Sequence, residues 1–385
     1  MGNQAYKFRL YPNQEQQQFL AKCFGCSRFV YNYFLRLTTD VYADCQKSLR
    51  YKEWSKLLTS FKKEFQWLQE VNSQPLQQTL KDLETAYSRF FQGKAKFPRF
   101  KKRSHQPSFR VPQNCSITEK GKLKLPKMSH IKMVLHREIE GDIKSVTISK
   151  TPSGQYYASI VTELDIPKAP LNGDKIGMDL GLKDFCMTNK PEKFENPRYF
   201  QRSLRRLKIR QRRLSRKDKD SNNRKKARVK VAKIHEKVAN QRLDYQHKIS
   251  FKLTNENQVI SCEDLNIKGM VKNRKLAKQV RDVAWGKFLT LLEYTGDIYG
   301  CEIKRVDRFF PSSKRCSSCG YIKEDLTIKD REWTCPECHT QHDRDINACW
   351  NLLQFSDSTI PLEERKSTPN QTAEMPCTKS VNSWG

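Results

Sequence analysis

The chain has 385 residues, with 73 lysines and arginines against 42 acidic residues, a net charge of +31 and a pI near 9.7. That length allows two or three domains, and 37% hydrophobic with 30% charged residues suits globular domains with a strongly positive surface rather than disorder. No apolar run approaches the roughly 18 residues of a membrane span, Met1–Tyr6 lacks the apolar stretch of a secretory signal, and the positive excess calls for a polyanion, nucleic acid. The 13 cysteines, an odd number, suit a reducing compartment. Nine of them are scattered, including the pair Cys23 and Cys26, and most of those nine read as small buried hydrophobes.

The chain opens with alternation, Tyr6, Phe8 and Leu10 against Lys7 and Arg9, which predicts a strand with one basic face. Pro12 breaks it, and Asn13 with Gln16 resembles a capping box. Leu20, Cys23, Phe24, Ser27, Tyr31, Phe34 and Val41 then mark one face of a long helix, and Leu76, Leu80, Leu83, Tyr87 and Phe90 mark a second, with Pro75 in its first turn. Residues 13–93 therefore form a small helical domain. Tyr31, Tyr33 and Phe34 read as core rather than as base-stacking platforms. Gly93–Arg103 is basic and broken by proline. Beyond it, Ile143–Ile148 and Tyr156–Val161 alternate with period two around a turn at Thr151–Gly154, so residues 94–170 predict a small β-barrel. The first strand belongs to that barrel if the helical domain is an insertion in it.

From residue 171 the pattern is α/β. Lys175–Lys183 predicts a strand and Phe185–Thr188 its partner. Residues 198–254 predict two long helices around the turn 218–223, the second with Val231, Ile234, Val238, Tyr245 and Ile249 on one face. Val259–Cys262 and Cys301–Val306 are further strands. Strand, hairpin, helices, strand, helix, strand, helix is the order of an RNase H-like domain. The last residues, 356–385, are rich in serine, threonine and proline, carry a net charge of −1, and read as a disordered tail.

Cys316-x2-Cys319-x15-Cys335-x2-Cys338 is the spacing of a four-thiolate zinc site. Two tight pairs close a tetrahedron from two turns, and Gly320 gives the first turn its freedom. Four thiolates leave no open position, so the zinc is structural, and His339 and His342 are surplus to it. Asp330–Thr334 suits a hairpin between the pairs.

Three acidic segments complete the pattern: Asp179 within Gly177–Gly181, Glu263-Asp264 at the end of a buried strand, and Asp343 and Asp345 at the start of a helix. Asp345 would also serve as an ordinary helix N-cap. In an RNase H-like sheet the first strand, the fourth strand and the last helix converge. Carboxylates crowded there repel one another unless divalent cations bind. Two Mg²⁺ ions, or Mn²⁺, activate a water and stabilise the leaving oxygen of a phosphodiester. The order Asp, Glu, Asp argues against transposases that end in Glu.

These segments resemble the TnpB family, transposon-encoded relatives of the type V CRISPR effector nucleases. The resemblance rests on Gly177-Met178-Asp179-Leu180-Gly181-Leu182-Lys183, Cys262-Glu263-Asp264-Leu265-Asn266, Phe310-Pro311-Ser312-Ser313-Lys314-Arg315-Cys316-Ser317-Ser318-Cys319-Gly320 and Asp343-Arg344-Asp345-Ile346-Asn347-Ala348. Weaker similarity covers Tyr6–Pro12, Arg28–Asn32 and Phe97–Lys101, and Cys349 and Trp350 depart from the family's usual smaller or plainer residues.

The resemblance implies a multidomain α+β protein. Its parts are a β-barrel wedge domain (1–12 and 94–170), a helical recognition domain inserted in it (13–93), an RNase H-like RuvC nuclease domain (171–310 and 341–355) and an inserted zinc ribbon (311–340). It further implies RNA-guided cutting of double-stranded DNA beside a short flanking motif, with the guide drawn from the transposon end. Asp179, Glu263 and Asp345 carry over as catalytic residues and Mg²⁺ ligands, with Asp264 and Asp343 as alternates. The expected setting is the prokaryotic cytoplasm at the nucleoid, with a monomer favoured and the oligomeric state left open. Two other readings remain at this stage: a guided repressor that binds without cutting, and an unguided RuvC-like junction nuclease.

Residues 201–233 hold 16 lysines and arginines against two aspartates, a density that self-repels without a counter-surface. Arg205, Arg206, Arg212 and Arg213 are its candidate phosphate contacts. Gln74, Gln77 and Gln78 are candidate readers of adenine in the flanking motif.

Overall fold

The computed structural model describes residues 2–103, 106–164, 173–190, 192–327 and 329–356. The tail expectation for 356–385 therefore lies outside the described residues, apart from Ser356, which ends a helix. The chain divides into two compact units, Met1–Lys168 with Tyr199–Asp244, and Ala169–Arg198 with Tyr245–Gly385.

The first unit begins with β1 (Gly2–Tyr11), whose Tyr6, Phe8 and Leu10 are buried as the alternation requires. Asn13 and Gln16 form the reciprocal capping box that starts α1 (Gln14–Cys45). The Gln16 side chain also donates to Ser129 Oγ at 3.0 Å and to the His130 carbonyl at 3.1 Å, so the cap fixes where the helix leaves the sheet. Next come α2 (Tyr51–Glu64), a 3-10 turn over Gln66–Gln69, and α3 (Ser73–Phe91). Trp54, Leu58 and Phe61 are the buried stripe of α2, and the Trp54 indole donates to Thr38 Oγ1 at 2.9 Å. Truncating such a fully buried Trp costs about 3–5 kcal/mol.

The strands β2 (Ser108–Val111), β3 (Ser116–Ile117), β4 (Lys122–Leu125), β5 (Met128–Val134), β6 (Asp142–Lys150) and β7 (Tyr156–Leu164) join β1 in one antiparallel sheet, in the order β2-β6-β7-β1-β5-β4-β3. The first strand thus sits mid-sheet, and the helices are inserted after it. Among the described residues β2 and β3 are edges, so hydrogen bonding leaves the sheet open where the alternation suggested a barrel. The edge strands, of four and two residues, are too short to carry a ladder across to each other.

The basic helices α4 (Tyr199–Ser215) and α5 (Asn222–Glu256) also differ from expectation. All of α4, and α5 up to Asp244, group with the first unit rather than with the α/β domain. Glu236 on α5 explains part of this. It accepts hydrogen bonds from Ser153, in the β6–β7 turn, and from Tyr157 on β7. At the turn between the helices, Arg224 donates to the carbonyls of Leu214 at 3.2 Å and Lys217 at 2.7 Å, satisfying the end of α4.

The second unit is built on β8 (Lys175–Asp179), β9 (Asp184–Thr188), β10 (Lys193–Glu195), β11 (Val259–Glu263) and β12 (Glu302–Val306), in the order β10-β9-β8-β11-β12. The first strand ends at Asp179, not at Lys183. The first three strands are antiparallel, and β8, β11 and β12 are parallel. Between β11 and β12 lie α6 (Ile267–Met270), α7 (Ala277–Val283) and α8 (Trp285–Tyr299). The buried Phe185, Trp285, Phe288 and Leu292 lie in the core between helices and sheet. The hairpin β13 (Glu332–Thr334) and β14 (Gln341–Asp343) precedes α9 (Arg344–Ser356). Residues 332–334 are in a hairpin as the sequence suggested, but their partner follows the second cysteine pair, so the ribbon extends to Asp343.

Among the described residues no helix is long and apolar enough to cross a membrane. Cys23, Cys26, Cys186, Cys262, Cys301 and Cys349 are buried. Burial pushes the Cys23 thiol up to about 12 and the Cys26 thiol up to about 11, so this pair is inert core.

Candidate active site

The register of β8 against β11 pairs Met178 with Cys262. Asp179 and Glu263 are the next residue on each, at the carboxyl ends of two adjacent parallel strands. Asp345 comes from the first turn of α9, and α9 reaches them because Gly177 lets it. A Cβ at residue 177 would lie 1.7 Å from the Cys349 carbonyl oxygen, so only glycine permits this approach of helix and strand. Cys349, one of the two departures from the family pattern, is buried, and its thiol donates to the Met187 carbonyl at 3.3 Å. Trp350 lies 42% exposed.

The alternate acids have other duties. Asp343 is the N-cap of α9, accepting from the backbone N–H groups of Asp345 at 2.9 Å and Ile346 at 3.0 Å. The N-cap role open to Asp345 on sequence thus falls to Asp343, and the Asp345 carboxylate is left free of the cap. Asp264 pairs with Arg308.

The three remaining carboxyls converge. Burial, then the charge of Glu263, then that of Asp345 push the Asp179 carboxyl up to about 7, from an ordinary 3.8. Arg344 opposes this, more weakly. Carboxylate oxygens whose charges act on one another are the donor type that hard divalent cations take. Mg²⁺ fits these residues by that chemistry. The surrounding side chains hold the acids in place. Ser312, buried, donates its hydroxyl to Glu263 Oε1 at 2.5 Å. Asp345 is flanked by Arg331 at 2.5 Å and Arg344 at 2.9 Å. Sequence reasoning named none of Ser312, Arg331 or Arg344 for these roles. Ser312 and Arg344 lie within the family-like segments Phe310–Gly320 and Asp343–Ala348, which carried the available signal.

The four cysteines form a second cluster, with all ligand atoms within 4.8 Å of one another. The Cys316–Cys338 and Cys319–Cys335 sulfurs are 3.6 and 3.5 Å apart. A tetrahedron with Zn–S near ~2.3 Å has edges of roughly 3.8 Å, so the thiols fit one zinc ion. Gly320 follows the first pair at φ +83°, the left-handed turn its position demanded. His342 is buried, its Nε2 3.0 Å from Cys316 Sγ and its ring against Trp333 at 4.9 Å. Burial lowers its pKa, keeping a neutral ring beside the sulfur. His339 is exposed. Asn347 and Asn351 on α9 tie the ribbon to the acidic centre. Asn347 accepts from the Ser317 N–H at 2.9 Å and donates to the Arg315 carbonyl at 2.7 Å, and Asn351 donates to the Ser312 carbonyl at 2.8 Å.

On the first unit, Arg205, Arg206, Arg212 and Arg213 are all exposed. Arg206 lines a cleft between α4 and α5 with Arg210, Lys230, Lys233 and Lys237. Of the three glutamines, Gln77 is exposed, Gln78 donates to Asp82 at 3.2 Å, and the Gln74 side-chain oxygen is buried without a partner. Tyr31 and Phe34 are core, and Tyr33 is 38% exposed.

Comparison with known proteins identifies the family. The OrfB_IS605 family model, described as "Probable transposase", matches residues 159–274, and a "Cas12f1-like, TNB domain" model matches 285–352. A "Helix-turn-helix domain" model matches 1–47, where this chain has a strand and a single 32-residue helix. A "Putative RNA-guided DNA endonuclease" of Streptomyces pristinaespiralis is 39% identical over 91% of this chain and 88% of its own. The "Putative RNA-guided DNA endonuclease InsQ" of Escherichia coli K12 is 32% identical over 94% of each chain. The fold is similar to that of Cas12f1 in a cryo-EM complex with sgRNA and target DNA, at a TM-score of 0.55 and 12% identity over 88% of this chain and 83% of that one. The chain belongs to the TnpB family, the OrfB proteins of IS605 elements.

Proposed function

We propose that this chain is an RNA-guided DNA endonuclease of an IS605-type transposon. It cuts double-stranded DNA beside a short flanking motif and uses one acidic centre for both strands. The observation that carries the reading is the convergence of Asp179, Glu263 and Asp345, with the Asp179 carboxyl pushed up to about 7 by its neighbours. Two relatives aligned over almost the whole chain bear the name of such an enzyme.

Asp179, Glu263 and Asp345 would hold two Mg²⁺ ions. Such ions would supply neutralising charge for the acids and Lewis-acid activation of water and of the leaving oxygen. The chain's own residues set the geometry. Ser312 orients Glu263, the Asp343 cap fixes the first turn of α9, and Arg344 holds Asp345 in place, while Arg331 pairs with Asp345 until a cation displaces it. The four cysteines hold one structural zinc that keeps the ribbon folded beside α9. The basic α4–α5 cleft tracks the phosphates of a guide RNA or its heteroduplex without reading sequence. Gln77, exposed on α3, is the candidate reader of the flanking motif. One acidic centre per chain favours a monomer, and the charge favours a place at the nucleoid.

The test is cleavage of plasmid DNA by protein co-purified with its RNA. Activity requires Mg²⁺ and is lost in Asp179→Ala while RNA binding persists. Cleavage surviving Asp179→Ala would sink the assigned centre. RNA binding without any cleavage by the parent protein would point instead to a guided repressor.

A further inference from the structure

Two segments of the first unit, Arg28–Asn32 and Phe97–Lys101, carry family resemblance but no part of the acidic centre. The structure brings them together. Phe24, Ser27, Arg28, Tyr31 and Asn32 fall at intervals of three and four along α1 and so share a face. Against that face the chain at residue 101 is pinned from both sides. The Lys101 N–H donates to Asn32 Oδ1 at 2.8 Å, and Asn32 Nδ2 donates to the Lys101 carbonyl at 3.1 Å. The Lys101 ammonium sits 4.0 Å from the centre of the Tyr31 ring.

Between these segments is a cavity of about 210 Å³, lined by Phe24, Ser27, Arg28, Lys101, Lys102 and Pro107, among others. Three cations face it. Among the described residues none of them is ion-paired with a carboxylate, and burial lowers the Lys101 pKa, opposed more weakly by Asp82. The Ser27 hydroxyl is the second, independent sign. Ser27 is 4% exposed, and its Oγ has no hydrogen-bond partner. A buried, unsatisfied hydroxyl is costly unless a ligand completes it. Three cations, one hydroxyl donor and an apolar floor of Phe24, itself packed on Phe109 at 5.3 Å, suit an anion with several acceptor oxygens attached to a less polar group.

We propose that this cavity is a phosphodiester-binding site that clamps one backbone phosphate of the bound nucleic acid. Arg28 and Lys102 supply charge, and Ser27 donates a hydrogen bond. The proposal rests on the nucleic-acid reading above. The chemistry is shared by RNA and DNA, and the test separates the two.

The probes are the co-purified RNA and, with RNA loaded, a DNA duplex carrying the matching target. Affinity is measured against salt concentration for the full chain, for Arg28→Gln with Lys102→Gln, for Ser27→Ala, and for a charge-matched control, Lys47→Gln with Lys120→Gln. The cavity double variant should lose about tenfold in affinity and about one unit of the salt slope for one of the two nucleic acids, which identifies the strand held. Ser27→Ala should weaken the same interaction several-fold at an unchanged or raised unfolding temperature, since it removes a group that only a ligand satisfies. Unchanged affinity and slope in the folded cavity variants would overturn the site. An equal loss in the control would also overturn it, since the effect would then be general charge. If the parent protein binds neither nucleic acid, the nucleic-acid reading itself fails, and that result is distinct from both.

Discussion

Gly177 on the first strand of the α/β unit and Cys349 on its last helix lie closer than any other residue at 177 allows: an added Cβ would stand 1.7 Å from the Cys349 carbonyl oxygen. The obstacle is backbone, so it cannot rotate away. Gly177→Ala should push α9 off β8, cost about 3 kcal/mol or more, and carry Asp345 away from Asp179. Thermal unfolding and Mg²⁺-dependent cleavage check this together. An unfolding midpoint equal to that of the parent protein would show that helix and strand are not in this contact.

The Asp179 carboxyl gives a pH signature. Its folded pKa is raised from 3.8 to about 7, so protonation favours the folded state. That contribution is fully present below about pH 4 and is lost as pH rises through about 7. In protein freed of Mg²⁺ but retaining zinc, Asp179→Asn should be near neutral at pH 4 and stabilising at pH 8. A shift of about three units corresponds to at most about 4 kcal/mol. Denaturant titrations at the two pH values measure it. Equal effects at both would remove the charge crowding inferred here.

Arg331 competes with cations for Asp345, to which it lies 2.5 Å away. The pair is partly exposed and worth at most about 1 kcal/mol. Arg331→Ala should therefore lower the Mg²⁺ concentration for half-maximal cleavage by about threefold, with little change in stability. A raised Mg²⁺ requirement would mean that Arg331 instead orients Asp345 for cation binding.

The zinc ribbon borders the centre through Arg331, Ser312, Asn347 and Asn351. Cys335→Ser should abolish stoichiometric zinc and, because these side chains lose their anchor, reduce cleavage at least tenfold while RNA binding by the other unit persists. Metal analysis and cleavage rates on the same preparation check both. Full cleavage without zinc would separate the ribbon from catalysis.

How much of this was visible beforehand depends on the distance over which each feature is encoded. The cysteine spacing is local, so the four thiols were readable from sequence, as were Tyr6, Phe8 and Leu10 on one face of β1. The acids were readable as residues ending strands and starting a helix. That Asp343 takes the cap and leaves Asp345 free needs backbone geometry that spacing does not carry. Ser312 with Glu263, and Arg331 with Asp345, are contacts between distant segments with no periodic signal. The grouping of α4 and most of α5 with the first unit depends partly on Glu236 reaching Ser153 and Tyr157, which composition does not reveal. The stripe Trp54, Leu58 and Phe61 of α2 went unread because it is short and lies among charges.

The most direct test of the central claim is to rewrite the guide. The protein is expressed with its own element's RNA, the segment meant to pair with target is replaced, and cleavage of a plasmid library is mapped. The account predicts that Mg²⁺-dependent double-strand cuts move to the new matching sequence, beside an unchanged flanking motif, and vanish in Asp179→Ala. Cuts that stay where they were, or that ignore the guide altogether, would contradict it.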